Sequence, residues 1–325
     1  MLRAYGPGCD GSVVEAKGDK IPEGATWIDL EEPTHEEEKL VERCVGFNVP
    51  TQQDLSEIQP SSRLYERDGV LYMTVSVLCG VEDGQPTTIP IGFVLGDNRL
   101  VTIRYGTPKP IRAFVDHVQR EPELARDAPT VLVRMLDAVI DRIADELEAV
   151  AEAIESASTH IFPKTIKVRR IPAERLTALL TRIGRAQTLV AKARYSAVSM
   201  MRMLSFLNGS GRINDKAHSE TRSHLRSLAI DTSSLSEHAS FLADNLIFLL
   251  DAALGLISIE QNAAMKVFSW VAVVLMPPTL IAGIYGMNFR YFPELQWHYG
   301  YALSIMVMVA SAIVPFAILK RLRWI

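Results

Sequence analysis

The sequence predicts an α+β cytoplasmic domain, a long stalk helix and two C-terminal transmembrane helices. Three observations carry this. Strand-like runs alternate with turn signals up to about residue 104, and helical periodicity takes over from Pro129, with no proline between Pro172 and Pro277. Near the C-terminus lie two uncharged apolar runs, Val267–Tyr285 with 19 residues and Tyr299–Leu319 with 21. At 1.5 Å per residue each run spans roughly 30 Å, the thickness of a bilayer core. The expected divisions are 1–128 for the α/β domain, 129–265 for a helical hairpin and stalk, and 266–325 for the membrane pair.

The α/β part is read from short signals. Ala25–Leu30 reads as a strand. Thr34 reads as an N-cap, with Glu36, Glu37 and Glu38 in the first helical turn where the dipole favours them. Val70–Leu78 alternates as a strand. Ile89–Leu95 and Arg99–Arg104 flank Gly96-Asp97-Asn98 as a hairpin, and a helix is expected from about Pro110. Downstream, one helix is expected over about Ala173–Leu207, with a break at Asn208-Gly209-Ser210-Gly211. A second is expected from about Lys216 into the membrane.

Composition excludes other classes. The chain has 325 residues, 48% apolar and 22% charged, so it is not a disordered chain. Its 34 Lys+Arg against 38 Asp+Glu give no basic signal for nucleic acid. The charges are unevenly spread: 266–325 holds five basic residues and one acidic, leaving 29 basic and 37 acidic in 1–265. An acidic body with a hydrophobic, slightly basic tail argues against a soluble enzyme. No phosphate loop, nucleophile elbow or HExxH pattern is present, so neither an enzyme nor an organic cofactor is expected. Cys9, Cys44 and Cys79 have no metal or redox spacing, and the scattered histidines suggest no zinc site. The segment MLRAYGPGCDGS lacks an apolar h-region, so no cleavable signal peptide is expected.

Lys266 precedes the first span, and Lys320, Arg321 and Arg323 follow the second. In the short connecting loop Arg290 is balanced by Glu294. The positive-inside rule then places both termini in the cytoplasm and the loop outside. Trp297, Tyr299, Tyr301 and Trp324 fall where interfacial aromatics belong. Pro277-Pro278 removes backbone donors inside the first span, so a protein or water environment is expected there.

Two patterns run along the stalk. Leu225, Leu228, Thr232, Leu235, Ala239, Leu242, Leu246, Leu249, Ala253 and Leu256 alternate steps of three and four. Such a seam needs a partner, either neighbouring helices or copies of the chain. A second stripe is small, polar or Met: Asp251, Gly255, Ser258, Asn262, Met265, Ala272, Met276, Thr279, Gly283 and Gly286. A close-packed membrane interface uses such residues, and so does a pore lining around a symmetry axis. Two spans per chain cannot enclose a water path, so a pore demands a symmetric homo-oligomer.

Tyr285-Gly286-Met287-Asn288, at the outer end of the first of two terminal spans, resembles the signature of the CorA family of divalent-cation channels. Met265-Lys266-Val267-Phe268, Pro277-Pro278-Thr279-Leu280-Ile281-Ala282-Gly283, Pro293-Glu294-Leu295 and Arg323-Trp324-Ile325 strengthen the resemblance. It covers essentially the whole chain, is close over 260–325, and is looser over Trp27–Leu30 and Gly92–Arg104.

The resemblance implies a funnel-shaped homopentamer in the bacterial inner membrane that admits Mg²⁺, with Co²⁺ and Ni²⁺ as further ions. It implies a selectivity filter at Gly286, Met287 and Asn288, with Asn288 meeting the hydrated ion. It also implies a pore lining and gate at Asp251, Ser258, Asn262, Met265, Met276, Thr279 and Gly283, with Asp251 as an acidic ring. Mg²⁺ is then both cargo and regulatory ligand, sensed by acids between neighbouring cytoplasmic domains. Asp215, Glu220, Asp231, Glu237 and Asp244 are available for sensing, and Glu146, Glu148, Glu152 and Glu155 offer a solvated face or a weak cation reservoir. Arg290 stands where many relatives carry an acid, leaving Glu294 as the loop's acid. The competing functions are a proton-coupled zinc transporter and a non-conducting, membrane-tethered metal sensor.

Overall fold

The computed structural model describes residues 1–15, 20–57, 59–96, 98–162, 172–213, 219–287 and 297–321. The described parts of Met1–Ile166 and Ala173–Leu250 form one compact unit, and those of Asp251–Ile325 a second.

In the first unit seven strands form one sheet: β1 (Leu2–Gly6), β2 (Cys9–Val13), β3 (Trp27–Glu31), β4 (Leu64–Arg67), β5 (Val70–Cys79), β6 (Thr87–Leu95) and β7 (Leu100–Arg104). Their order is β2-β1-β3-β7-β6-β5-β4. Neighbours pair antiparallel except β3 and β7, which run parallel with Asp29 opposite Thr102 and Glu31 opposite Arg104. The expected β6–β7 hairpin is present; its Asp97 lies outside the described residues.

The helices follow their caps. α1 (His35–Val45) opens on a full capping box between Thr34 and Glu37 and closes at Gly46, whose φ of 80° suits glycine. The short α2 (Gln52–Ser56) and α3 (Pro60–Arg63) precede β4, and α4 (Lys109–Arg120) follows β7. The long helices are α5 (Ala128–Ile161), α6 (Ala173–Ser210) and α7 (Ser219–Tyr285), and α8 (Gly300–Arg321) ends the chain. The break expected at residues 208–211 begins later than its composition implied. Asn208 and Gly209 stay helical, and the left-handed turn falls on Gly211 alone, at φ 72°. An exposed helical glycine costs only about 1 kcal/mol, less than the packing that holds α6 together.

Strand alternation divides the core. Ile28 and Leu30 face a cluster with Val41 of α1, Leu55 of α2, Val101 and Ile103. Trp27 faces the other side, stacked on Tyr5 at 4.4 Å and tilted against Phe114 of α4 at 5.6 Å. On that side lies a buried polar network. Arg104, 2% exposed, meets Asp29, 1% exposed, at 2.8 Å, and Glu31 at 2.9 Å. The Thr102 hydroxyl donates to Asp29 at 2.7 Å, and Trp27 Nε1 donates to the same hydroxyl at 2.9 Å. Burial pulls the Glu31 carboxyl up, but hydrogen bonds from Thr107 and Arg104 outweigh it and hold the group below its usual range.

β4 pairs only with Val70–Met73, so the rest of that β5 edge needs cover. α6 supplies it, with the Ser76 amide donating to Ser199 Oγ at 3.0 Å.

α5 and α7 run parallel. Thr130 meets Thr221 near their starts, Asp137 meets His224 at 3.0 Å, and Phe162, just beyond α5, stacks on Phe248 at 5.9 Å. Leu225, Leu228, Thr232, Ala239, Leu242, Leu246, Leu249 and Ala253 of the first seam are buried. The partner of that seam is therefore the same chain.

Replacing Arg104 by Met leaves two carboxylates at a buried site without their cation, so about 3–5 kcal/mol of stability should be lost. Asp29→Leu combined with Arg104→Met should recover much of that loss. Thermal denaturation of the detergent-solubilised chain tests both variants; a wild-type melting point for Arg104→Met would remove the pair from the fold's determinants.

Candidate ion-conduction site

α7 is a single helix of 67 residues, about 100 Å long at 1.5 Å per residue. Pro277 and Pro278 lie within it and do not end it. They deprive the carbonyls of Val273 and Val274 of their usual donors. One residue on, the Thr279 hydroxyl donates to the Leu275 carbonyl at 2.8 Å.

All ten residues of the second stripe are exposed: Asp251, Gly255, Ser258, Asn262, Met265, Ala272, Met276, Thr279, Gly283 and Gly286. Met265 is 66% and Met276 70% exposed. Many positions between the stripe residues are exposed as well, among them Val267, Phe268, Val273, Leu275 and Leu280, so the stripe stands out by its small, polar and Met composition rather than by exposure. The structure thus brings the expected lining residues onto one free face of one helix.

Ser269 belongs to the same face and went unread. It is exposed, and it fills the gap between Met265 and Ala272 with steps of four and three. The run from Asp251 to Gly286 then alternates four and three without interruption. The missed signal was the spacing itself, because a seven-residue step in a 4-3 pattern leaves one position open. The Ser269 hydroxyl donates to the Met265 carbonyl at 2.8 Å. Both Ser269 and Thr279 therefore spend their protons on their own helix, leaving oxygen lone pairs on the exposed stripe.

The glycines divide into two kinds. A Cβ at Gly255 or Gly283 would meet nothing within 4 Å. Their smallness answers to no neighbour among the described residues of their own chain. At Gly286 a Cβ would lie 3.1 Å from the Ala282 carbonyl oxygen, so a side chain is disfavoured locally. The Gly286 amide bonds Ala282 at 2.9 Å and the Met287 amide bonds Ile284 at 3.2 Å, a tightened last turn. Met287 is 47% exposed. Asn288, Arg290 and Glu294 lie outside the described residues.

α8 exposes apolar side chains along its length, including Met306, Val309, Ile313 and Ile318. α7 and α8 are both long and apolar enough to cross a membrane.

The cytoplasmic acids separate by environment. Glu146 is buried beside Arg142, which also bonds Glu82 at 2.8 Å. Burial pushes the Glu146 carboxyl above its usual range, and Arg142 opposes that rise. This corrects the expectation of a solvated Glu146; Glu148, Glu152 and Glu155 are exposed as expected. Burial also raises the Asp141 carboxyl, with Asp137 and Asp145 adding repulsion. Asp231 and Glu237 of α7 are exposed, and Asp215 lies outside the described residues. Among the described residues no three His, Cys, Asp or Glu side chains converge as a metal cage.

Comparisons agree with this architecture. Residues 22–321 match the family model described as "CorA-like Mg2+ transporter protein". The chain is 31% identical over 301 residues to the magnesium transport protein CorA of Haemophilus ducreyi, covering 93% of this chain and 92% of that one. It is 30% identical over 301 residues to the CorA of Escherichia coli K12, with the same coverage. Among solved structures it resembles the complete CorA magnesium transporter of Methanocaldococcus jannaschii, with a TM-score of 0.74 and 22% identity, covering 100% of this chain and 98% of that one. The α/β unit, the single long helix and the final apolar helix are the parts of that fold, and the chain belongs to the CorA-like Mg²⁺ transporter family.

Proposed function

We propose that this chain is one subunit of a homopentameric channel that conducts hydrated Mg²⁺ through a membrane. The observation that carries the reading is the uninterrupted 4-3 stripe of small, polar and Met residues from Asp251 to Gly286 on α7, whose other exposed positions here are largely apolar. Small and polar residues on a free helix face are what an axial packing of copies around a water path requires.

The chemistry of the ion fits the stripe. Mg²⁺ gives up its waters reluctantly, so a filter that keeps the shell avoids that cost. A hydrated cation points water hydrogens outward, so the wall must offer acceptors. Asn262 and Asn288 supply amide oxygens, Gly286 a backbone carbonyl, and Ser269 and Thr279 hydroxyl oxygens whose protons are already donated inward. Neutral acceptors bind such an ion weakly enough to release it. Met265 and Met276 supply an apolar constriction that gates by dewetting. In this reading Gly286, Met287 and Asn288 form the outer filter, and Glu294 remains near the mouth. Both termini face the cytoplasm, the membrane is the bacterial inner membrane, and Mg²⁺ enters down its gradient and the inward-negative potential, with Co²⁺ and Ni²⁺ as secondary ions.

Asp251 gives the control step. In a pentamer five carboxylates surround one axis. Like charges repel by about 1 kcal/mol per pair at 4 Å in bulk water, and more where water is excluded. Internal Mg²⁺ relieves that repulsion, favours the tight symmetric state, and keeps the Met265–Met276 segment narrow and dry.

Asn288→Ala should abolish Mg²⁺ uptake into proteoliposomes at controlled membrane potential while leaving assembly intact. Wild-type flux from the inserted variant would show that the outer amide is not the filter. An imposed pH gradient should leave uptake unchanged; acceleration by protons, with Zn²⁺ as the preferred ion, would point to a proton-coupled zinc transporter, and absence of any flux to a sensor.

Gly283→Leu meets open space within its own chain, so the fold should tolerate it. Around a five-fold axis it should cut uptake by tenfold or more, about 1.4 kcal/mol or more of barrier. Uptake equal to wild type would place that face away from the conduction path.

Protease cleavage of the cytoplasmic unit should slow, and flux should fall, as internal Mg²⁺ rises. If neither responds, the feedback is wrong even where the channel stands.

A further inference from the structure

α5 and α6 pack side by side and carry opposite charge on their free faces. On α5, Asp145, Glu148, Glu152 and Glu155 are all exposed, at steps of three, four and three, while Asp141 one turn earlier lies near His224 and Asp231 of α7. The four form one stripe away from the buried Val139, Ile143, Leu147 and Val150. On α6, Arg175, Arg182 and Arg185 are exposed at steps of seven and three, with Glu174 exposed on the same surface, so that face is net basic. Among the described residues no ion pair joins either set to a partner.

The two stripes match in length. Asp145 to Glu155 and Arg175 to Arg185 each cover eleven residues, about 15 Å of helix. Both occupy the halves of α5 and α6 next to their connection in the chain. Each subunit therefore carries an acidic edge on α5 and a net basic edge on α6, both in the halves that adjoin in sequence.

We infer that the acidic stripe of α5 in one copy docks on the arginine stripe of α6 in the next copy. This rests on the ring assembly proposed above and names the contact that sets its register. A head-to-tail contact pairs unlike edges at every interface and closes into a ring when the rotation allows. Arginine suits the partner role because its planar fork meets carboxylates bidentately. Complementary edges of this kind fix register and reject wrong pairings more than they add affinity.

The test is charge reversal and rescue in the full chain in mild detergent, read by native mass spectrometry at fixed protein concentration. Arg182→Glu with Arg185→Glu should lower the concentration stability of the oligomer by about tenfold at low salt, and about 0.5 M NaCl should weaken the wild type toward the same level. Adding Glu148→Arg and Glu152→Arg in the same chain should restore assembly. Wild-type assembly by the arginine variant, or failure of the four-fold variant to recover while its thermal melting stays normal, would overturn the inference. Unaltered assembly with a changed Mg²⁺ response in Glu148→Arg/Glu152→Arg alone would assign the acidic stripe to cations and equally overturn it. A wild-type chain that is monomeric would instead overturn the channel reading itself.

Discussion

A lipid bilayer gives a helix no reason to keep one face small and polar. Hydrocarbon accepts Leu and Val at no cost and penalises unsatisfied oxygens. α7 nevertheless exposes Ala272, Thr279 and Gly283 along one line within its apolar span, with Ser269 at its start. The two hydroxyls already donate to their own helix's carbonyls, so their donors are satisfied locally and only acceptor lone pairs remain outward. Gly255 and Gly283 face empty space. Each fact has a physical account once copies of the helix and a column of water occupy that side.

The same economy shapes the first unit. Its sheet is antiparallel except where β3 meets β7, and there the chain buries Asp29, Arg104 and Thr102 together. A buried charge pair is weak evidence for net stability but strong evidence for a single register, because a slipped register strands a charge in the core. Fixing β3 against β7 fixes where β7 ends and α4 begins, and thereby where α5 lies against the sheet. α6 then seals the bare edge of β5 through Ser199, and α7 lies parallel to α5 with its Leu seam buried. The order in which these elements constrain one another runs from two strands to the long helix.

Much of this was legible in the residues. Thr34 with Glu37 announced α1, the Gly96–Asn98 turn announced the β6–β7 hairpin, and the proline-free run announced α6 and α7. Each of these signals is local, a cap or a periodicity. The elements that escaped depend on partners distant in sequence. β1 and β2 are five residues each, and β1 is a strand because β3 pairs along it. Glu146 looked like its exposed neighbours until Arg142 and the core closed over it. At the candidate site the stripe was legible because heptad spacing is visible in one dimension. Ser269 was marked only by the open position between Met265 and Ala272, because Ser itself is equally at home in any half-polar helix. The buried environment of Arg104 had no local signature at all.

α7 carries two 4-3 patterns, and their relation explains why this helix remains unbroken. At 100° per residue, Leu249 and Ala253 point away from Asp251 and Gly255, on nearly opposite sides of the helix. The former are buried and the latter exposed. One seam serves the chain's own helices, and the other is the face that the proposed assembly of copies would use. Both repeat every 3.5 residues rather than 3.6, so both drift in the same sense and demand the same left-handed supercoil. A break between them would release one seam from the phase of the other. The helix also keeps its continuity where that is most costly, through Pro277 and Pro278, where two carbonyls lose their donors. A straight exchange of packing energy does not account for that. Preserving the phase of the exposed stripe up to Gly286 does, since a shift of one residue turns every side chain by 100° and would carry the acceptor oxygens off the line they now share.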